Sequence, residues 1–238
     1  MTAHSNALII ALDVPTEKHA LAVVAQTKAS CQFYKIGLQL YTACGPSVVQ
    51  SVLDQGVQVF LDLKLHDIPN TAASAVQEAA QHHISFLTVH GLGGPAMLRA
   101  AQAAALNTPL QLLTVSVLTH HSEEDLSSMG FKEDVAAITI RLLQIASDAG
   151  IHGCICSPQE AGVVRSHFGA DYLIVTPGVR PSSSENDDQT RIATPKEAIL
   201  AGANHVVIGR PIVKAVDMAA AARAVQAEIQ EAFNALEK

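Results

Sequence analysis

The chain has 238 residues, of which 49% are hydrophobic and 16% are charged, and its formal net charge is -7. This apolar composition excludes a disordered chain, and the length suits one α/β barrel or two small domains. The negative charge argues against nucleic acid as the main partner, although a local basic pocket could still bind a phosphate group.

Neither the N-terminus nor the cysteines indicate a membrane protein or a metal protein. The first apolar stretch ends at Asp13 and no basic region precedes it, so we expect no signal peptide and no membrane span. Cys31, Cys44, Cys154 and Cys156 lack the spacing of a zinc site. We therefore expect reduced thiols, no bound metal and a cytoplasmic protein.

Short apolar runs alternate with helical stretches along the whole chain. Strands that are apolar on both faces, each followed by one amphipathic helix, predict a parallel sheet with helices over its outside. About eight such units predict a single (β/α)8 TIM barrel domain spanning residues 1–238. The strands are predicted at 8–12, 33–37, 57–61, 86–90, 110–117, 153–156, 172–176 and 205–209, and the helices at 16–29, 46–55, 72–81, 96–106, 134–149, 157–165, 195–201 and in a last segment ending near 237.

A doubly wound open sheet is the alternative fold. Its support is the segment Gly91-Leu92-Gly93-Gly94-Pro95-Ala96, which follows a predicted strand and matches the G-x-G-x-x-A pattern of dinucleotide sites. No acidic residue follows about twenty positions later to bind a ribose, and the segment belongs to the fourth unit rather than the first. We therefore favour the closed barrel.

The third strand ends in charged residues, which is an unusual place for them. Side chains two apart in a strand share a face, so Asp62 and Lys64 are expected to project together, with Asp67 in the loop that follows. Taken alone, these residues also fit an internal salt bridge with Asp67 as a helix cap. The neighbouring strands decide between the two interpretations.

Polar groups stand at the carboxyl end of most predicted strands, and in a barrel these ends converge on one mouth. Several charges gathered there would cost a large desolvation free energy unless they served a ligand. The pattern therefore predicts a binding site at the mouth. The groups are Asp13, Lys35, Asp62, Lys64, His90, Thr119, Arg180, Gly209 and Arg210.

The loops after the seventh and eighth strands predict a phosphate site. Gly178-Val179-Arg180 and Gly209-Arg210 combine glycine amides with arginine side chains at the position where barrels commonly bind phosphate. The alternative is that Gly209 only makes a tight turn and Arg210 pairs on the surface. The polar loop at 178–192 is predicted to be a mobile lid, or else an ordinary insertion.

These residues together resemble the orotidine 5'-monophosphate decarboxylase family over essentially the whole chain. The resemblance implies a (β/α)8 barrel enzyme of pyrimidine nucleotide biosynthesis that converts orotidine 5'-monophosphate to uridine 5'-monophosphate without a cofactor. The matching positions are Asp13, Lys35, the block Asp62-x-Lys64-x-x-Asp67-Ile68-Pro69-Asn70-Thr71, the segment Thr176-Pro177-Gly178-Val179-Arg180-Pro181, Gln189 and Gly209-Arg210.

The resemblance also implies a role in substrate binding or catalysis for each charged residue of the array. Asp13 and Lys35 would contact the ribose, and Lys35 would join a charge network with Asp62, Lys64 and Asp67. Lys64 would stabilise a carbanion at C6 of the pyrimidine and then protonate it. Asp62 would lie near the departing carboxylate and hold Lys64 in place.

Other residues are implied to bind substrate, some of them across a dimer interface. Asp67 would be contributed to the partner's site in a homodimer, and Ile68 and Thr71 would likewise cross the interface. Thr119 would bond the pyrimidine. The phosphate would be held by Arg180, Gln189, Gly209 and Arg210.

Two other functions stay open from the residues. A metal-dependent sugar-phosphate decarboxylase or lyase of the same superfamily shares the Asp-x-Lys-x-x-Asp pattern, but those relatives use an acidic metal ligand where this chain has Lys35. A non-catalytic nucleotide-binding barrel is the other possibility, and it would leave the charged network without a purpose. We expect neither a nucleic-acid partner nor a membrane partner.

Overall fold

The apolar runs of the sequence form eight parallel strands that close into a barrel. The computed structural model describes residues 7–181 and 193–237. The chain is a (β/α)8 barrel, as predicted, and the open sheet is wrong because β1 pairs with both β2 and β8. The strands are Leu8–Ala11 (β1), Phe33–Gly37 (β2), Gln58–Leu65 (β3), Phe86–His90 (β4), Gln111–Val115 (β5), Gly153–Ile155 (β6), Leu173–Thr176 (β7) and His205–Ile208 (β8).

Helices follow the strands and cover the outside of the barrel. None of the helices in 7–181 and 193–237 combines the length and the hydropathy needed to cross a lipid bilayer. The helices are Glu17–Thr27 (α1), Leu38–Cys44 (α2), Ser47–Leu53 (α3), Pro69–Gln81 (α4), Gly94–Ala105 (α5), Glu123–Ser128 (α6), Val135–Asp148 (α7), Pro158–Phe168 (α8), Pro195–Leu200 (α9), Arg210–Val213 (α10) and Met218–Leu236 (α11).

Three of these helices, α2, α6 and α10, are short and were not expected from the sequence. Helix α6 shows why, since its six residues are too few to display a helical period. It is stabilised by a capping box in which the side chains of Ser122 and Asp125 each accept from the other's backbone N–H. Local capping therefore forms helices that hydrophobic periodicity does not reveal.

Strand β3 continues past its apolar run and includes Asp62 and Lys64. Its pairing with β4 is regular up to Leu61, then shifts, and resumes at Leu65. Within this irregular segment Lys64 has a φ of 50°, in the left-handed region that non-glycine residues rarely adopt. The regular alternation expected at this strand end therefore stops before Lys64.

An apolar layer fills the barrel interior below the mouth. Three phenylalanine rings meet there, with ring centroids 4.9 Å apart for Phe33 and Phe86 and 6.0 Å apart for Phe60 and Phe86. A low-dielectric floor of this kind strengthens electrostatic interactions directly above it. Its buried members are Ile9, Ala11, Phe33, Phe60, Phe86, Leu113, Val175 and Val207.

A polar residue follows each of these rings by two positions on its strand. They are Lys35 on β2, Asp62 on β3 and Thr88 on β4. Since residues two apart in a strand share a face, all three point into the barrel and stand on the apolar layer. The strand period thus positions the polar groups of the mouth.

Candidate active site

A cavity of about 440 Å³ opens at the carboxyl ends of the strands, and its size suits a small-molecule ligand. Its lining combines charged residues with apolar side chains from β5, β6, β8 and the loops that follow β5 and β7. It brings together these predicted site residues: Asp13, Lys35, Asp62, Lys64, Thr119 and Gly209. The apolar part includes Val115, Val117, Leu118, Ile155, Pro177 and Val207.

Four of the lining residues form an array in which negative and positive charges alternate. The Nζ atom of Lys35 lies 3.1 Å from Oδ1 of Asp13 and 3.5 Å from Oδ2 of Asp62. The Nζ atom of Lys64 lies 2.9 Å from both carboxylate oxygens of Asp62. The order is therefore Asp13, Lys35, Asp62, Lys64, and the array as a whole is electrically neutral.

Asp62 is the most constrained member of this array. Burial alone would raise the pKa of its carboxyl group. The charges of Lys35 and Lys64, with hydrogen bonds from Lys64 and Thr88, outweigh burial and lower that pKa below its ordinary value. Asp62 is therefore ionised at neutral pH, although only 13% of its side chain is exposed.

Asp67, Ile68 and Thr71 lie apart from this array. Asp67 is exposed in the loop between β3 and α4, and its Oδ1 accepts the N–H of Ile68 at 2.6 Å. No ion pair of the described part of the chain joins Asp67 to Lys64 or Lys35. The cap interpretation of Asp67 is wrong, because Ile68, and not Asp67, occupies the N-cap position of α4, and the Ile68 side chain makes no capping hydrogen bond.

The residues predicted to bind phosphate lie after the neighbouring strands β7 and β8. Gly209 lines the cavity, whereas Arg180 is buried and Arg210 is exposed at the start of α10. The backbone N–H of Arg180 donates to the carbonyl of Ala193 at 3.0 Å, which joins the two described ends of this loop. Gln189 and most of the predicted lid lie outside the described residues.

Sequence reasoning missed two residues at this site, Gly37 and Thr88. A Cβ atom at Gly37 would come within 2.9 Å of both Asp13 Oδ1 and Lys35 Nζ, so a side chain at this position would displace the ends of these two residues. Thr88 donates to Asp62 from the next strand at 3.0 Å. The signal for Thr88 is a hydroxyl residue at an inward position of an otherwise apolar strand.

Lys35 occupies the position where the metal-dependent relatives of the alternative function use an acidic metal ligand. Its ammonium lies between Asp13 and Asp62, where it would repel a divalent cation. In 7–181 and 193–237, no group of three or more His, Cys, Asp or Glu side chains is arranged to hold a metal ion. The Lys35 ammonium therefore disfavours a divalent cation at this point of the mouth.

Comparison with known proteins identifies the family of this chain. Residues 6–225 match the family described as "Orotidine 5'-phosphate decarboxylase / HUMPS family". The chain belongs to this family. It is 47% identical over 225 residues to the orotidine 5'-phosphate decarboxylase of Opitutus terrae, an alignment that covers 94% of this chain and 98% of that protein.

Further relatives carry the same name. The orotidine 5'-phosphate decarboxylase of Nitrosococcus oceani is 44% identical over 225 residues, with 93% of this chain and 97% of that protein covered. The crystal structure of orotidine 5'-phosphate decarboxylase from Lactobacillus acidophilus superposes with a TM-score of 0.83 at 34% identity. It covers 94% of this chain and 99% of the other, so the similarity extends over the whole barrel.

His90, at the end of β4, faces other basic groups beside the mouth. Its ring stacks on that of His66 with centroids 5.3 Å apart, and its Nδ1 accepts the N–H of Leu92 at 3.3 Å. Burial, and then the positive charges of His66, Lys64 and His121, lower the pKa of His90 to about 4. His90 is therefore neutral at pH 7.

This lowered pKa makes stability depend on pH in a definite direction. Between pH 7 and pH 5 the unfolded chain binds a proton at His90 and the folded chain does not, so the free energy of unfolding falls as pH falls. His90→Gln removes this titration, and the variant should lose less unfolding free energy over that interval than the unmodified protein. Urea denaturation at both pH values, at one protein concentration, measures the difference.

His19→Gln is the matched control, because His19 is an exposed histidine on α1. This variant should lose as much free energy of unfolding between the two pH values as the unmodified protein. An equal loss in the His90→Gln variant would show that His90 is not held neutral by its surroundings.

Proposed function

We propose that this chain decarboxylates orotidine 5'-monophosphate to uridine 5'-monophosphate, the last step of de novo pyrimidine nucleotide biosynthesis, without a metal or an organic cofactor. The observation that carries the proposal is the alternating array of Asp13, Lys35, Asp62 and Lys64 above an apolar floor. The relatives at 44–47% identity are named for this reaction. Lys35 in place of an acidic ligand disfavours the metal-dependent alternative.

The chemistry of the reaction requires such an array. When the bond between C6 and the carboxyl carbon breaks, the electron pair remains on C6 in the plane of the pyrimidine ring. The ring π system is perpendicular to this pair and cannot delocalise it, so the barrier must be lowered by fixed charges. Preorganised ammonium groups in a site of low dielectric supply that stabilisation.

Lys64 is proposed as the group that meets the carbanion. Its ammonium is held at 2.9 Å by both oxygens of Asp62 and lines the cavity. It would stabilise the negative charge as carbon dioxide leaves and then donate a proton to C6 as general acid. The neutral amine regains its proton from solvent, which closes the cycle.

Asp62 would act on both the substrate and the lysine. Two negative charges about 4 Å apart repel by roughly 4 kcal/mol at an effective dielectric constant of about 20, so an ionised Asp62 beside the substrate carboxylate would raise the energy of the bound substrate. This repulsion disappears as neutral carbon dioxide forms. The geometry supports positioning as the main role, since both carboxylate oxygens already hold Lys64.

The remaining predicted residues would bind parts of the substrate that do not react. Asp13 and Lys35 would contact the ribose and Thr119 the pyrimidine. Binding free energy gained at the phosphate can be used to organise the charged array, so removing the phosphate from the substrate should lower turnover as well as affinity. The proposed phosphate ligands are Arg180, Gln189, Gly209 and Arg210.

We propose a homodimer in which Asp67, Ile68 and Thr71 serve the partner's site. Asp67 forms no ion pair with Lys64 of its own chain among the described residues, although it belongs to the same charged block. Large apolar side chains are exposed directly after the three successive strands β2, β3 and β4, with Leu38 55%, Ile68 67% and Leu92 46% exposed. Burial of these groups would favour association.

The domain organisation and the cellular location follow from the same proposal. Residues 1–238 would form one catalytic domain, since the barrel elements extend from Leu8 to Leu236. The thiols of Cys31, Cys154 and Cys156 are free and buried, which suits a reducing compartment. We accordingly place the enzyme in the cytoplasm.

The direct test follows the loss of orotidine 5'-monophosphate absorbance with the purified protein, with and without EDTA. We expect turnover at the same rate in both samples. Absence of turnover would contradict the proposed reaction. Turnover that EDTA abolishes and magnesium restores would instead support the metal-dependent alternative.

Subunit exchange tests the shared site. Lys64→Ala and Asp67→Asn homodimers should each be inactive, but a mixed dimer contains one site that carries neither change. Equal mixing gives heterodimers in half of the dimers, so about a quarter of the unmodified activity should return. Failure to recover activity, with exchange confirmed by mass spectrometry, would show that each site lies within one chain.

Gly37→Ala tests the array without altering a charged residue. The atoms that an added Cβ would meet, at 2.9 Å, are the mobile ends of Asp13 and Lys35, so the fold can tolerate the change while the array cannot keep its geometry. We expect kcat/KM to fall about tenfold to a hundredfold. Gly162→Ala is the control, because its Cβ would meet nothing closer than 3.8 Å. Unchanged kcat/KM in Gly37→Ala would contradict the proposal that Asp13 and Lys35 contact the ribose.

A further inference from the structure

The interruption between β3 and β4 leaves Lys64 without a regular strand partner. Leu61 pairs with Leu87 and Leu65 pairs with Val89, so three residues of β3 face a single residue of β4. That single residue is Thr88. Lys64 stands in this interval with a φ of 50°, a strained conformation for a lysine that the surrounding structure must maintain.

The side chain of Thr88 takes the place of the missing strand contact. Its Oγ1 accepts the backbone N–H of Lys64 at 2.8 Å and donates its hydrogen to Oδ1 of Asp62 at 3.0 Å. A hydroxyl group can donate one hydrogen bond, and the ionised carboxylate of Asp62 accepts the one from Thr88. Thr88 is fully buried, so water does not compete for either bond.

We propose that Thr88 is a positioning residue for the decarboxylation, which fixes the Lys64 backbone and the Asp62 carboxylate in one geometry. The inference rests on the proposed function of this site. Thr88 is not among the residues that line the cavity, so it acts through its two neighbours and not on the substrate. It is the only described side chain that bonds both members of the pair.

Both hydrogen bonds of Thr88 help to fix the position of the Lys64 ammonium group. The bond to the Lys64 N–H stabilises the left-handed backbone, which determines the direction in which the side chain leaves the strand. The bond to Oδ1 of Asp62 orients the carboxylate, whose two oxygens each lie 2.9 Å from Nζ of Lys64. Loss of the hydroxyl would therefore displace the proton donor relative to C6.

A set of threonine substitutions distinguishes the effect of losing the hydroxyl group from the effect of changing the shape of the side chain. Thr88→Val keeps the shape and removes the hydroxyl, whereas Thr88→Ser keeps the hydroxyl and removes a methyl group. Thr114→Val is the matched control, since Thr114 is a buried threonine on the adjacent strand β5 whose Oγ1 has no hydrogen-bond partner among the described residues. If Thr88→Val does not fold, Thr88→Ala compared with Thr88→Ser makes the same distinction.

Steady-state kinetics with orotidine 5'-monophosphate gives the first result. We expect Thr88→Val to lower kcat about tenfold or more with KM changed less than about threefold, because the substrate contacts remain and the proton donor moves. Thr88→Ser and Thr114→Val should stay within about threefold of the unmodified kcat. Equal effects of Thr88→Val and Thr114→Val, or an unchanged kcat in Thr88→Val, would overturn the proposal.

A crystal structure of Thr88→Val, or of Thr88→Ala in its place, tests independently of activity whether Thr88 positions Lys64 and Asp62. The proposal predicts that Lys64 leaves the left-handed region or that its Nζ loses contact with one oxygen of Asp62. An unchanged Lys64 geometry would overturn the proposal. If the unmodified protein does not turn over the substrate, the proposed function fails, and this structure still tests the positioning role.

Discussion

The buried carboxylate of Asp62 lies between two ammonium groups, and the mouth of the barrel depends on this contact. Burial opposes its charge, and Lys35 and Lys64 reverse that effect, as the lowered pKa of Asp62 indicates. The dependence is mutual, because without the carboxylate two lysines would face each other in a poorly solvated site. Asp62 therefore makes it possible to keep two positive charges close together at the mouth.

The barrel provides this arrangement through the strand period. An apolar ring on each of β2, β3 and β4 is followed two positions later by a polar residue, so the interior has an apolar layer beneath a polar one. Parallel strands bring all of these polar positions to the same end. The charges are thus held in an environment where they interact more strongly than in water.

Much of this could be predicted from the sequence. The alternation of apolar runs and helices predicted the closed barrel. Of the predicted strand-end residues, those that line the cavity are Asp13, Lys35, Asp62, Lys64, Thr119 and Gly209, whereas His90, Arg180 and Arg210 do not line it. The resemblance of the block from Asp62 to Thr71 predicted the family, which the match over residues 6–225 confirms. The roles of the individual site residues remain predictions, and Gln189 lies outside the described residues.

The features that escaped prediction have physical reasons. The bond from Lys64 to Thr88 joins residues 24 positions apart and leaves no periodic trace in either strand. The left-handed backbone of Lys64 arises from the irregular β3–β4 register, which no local propensity indicates. The close approach of Gly37 to the charged ends of Asp13 and Lys35 appears only when β1 and β2 bring these residues together.

The central claim is that Lys64, held by Asp62, stabilises negative charge at C6 and carries the proton to it. Deuterium exchange at C6 of uridine 5'-monophosphate in D2O tests this claim without carbon dioxide loss, because exchange passes through the same carbanion. We expect the unmodified protein to replace the C6 hydrogen with deuterium, as followed by proton NMR, and the Lys64→Ala protein to show only the uncatalysed background. Exchange at an undiminished rate in Lys64→Ala would contradict the account.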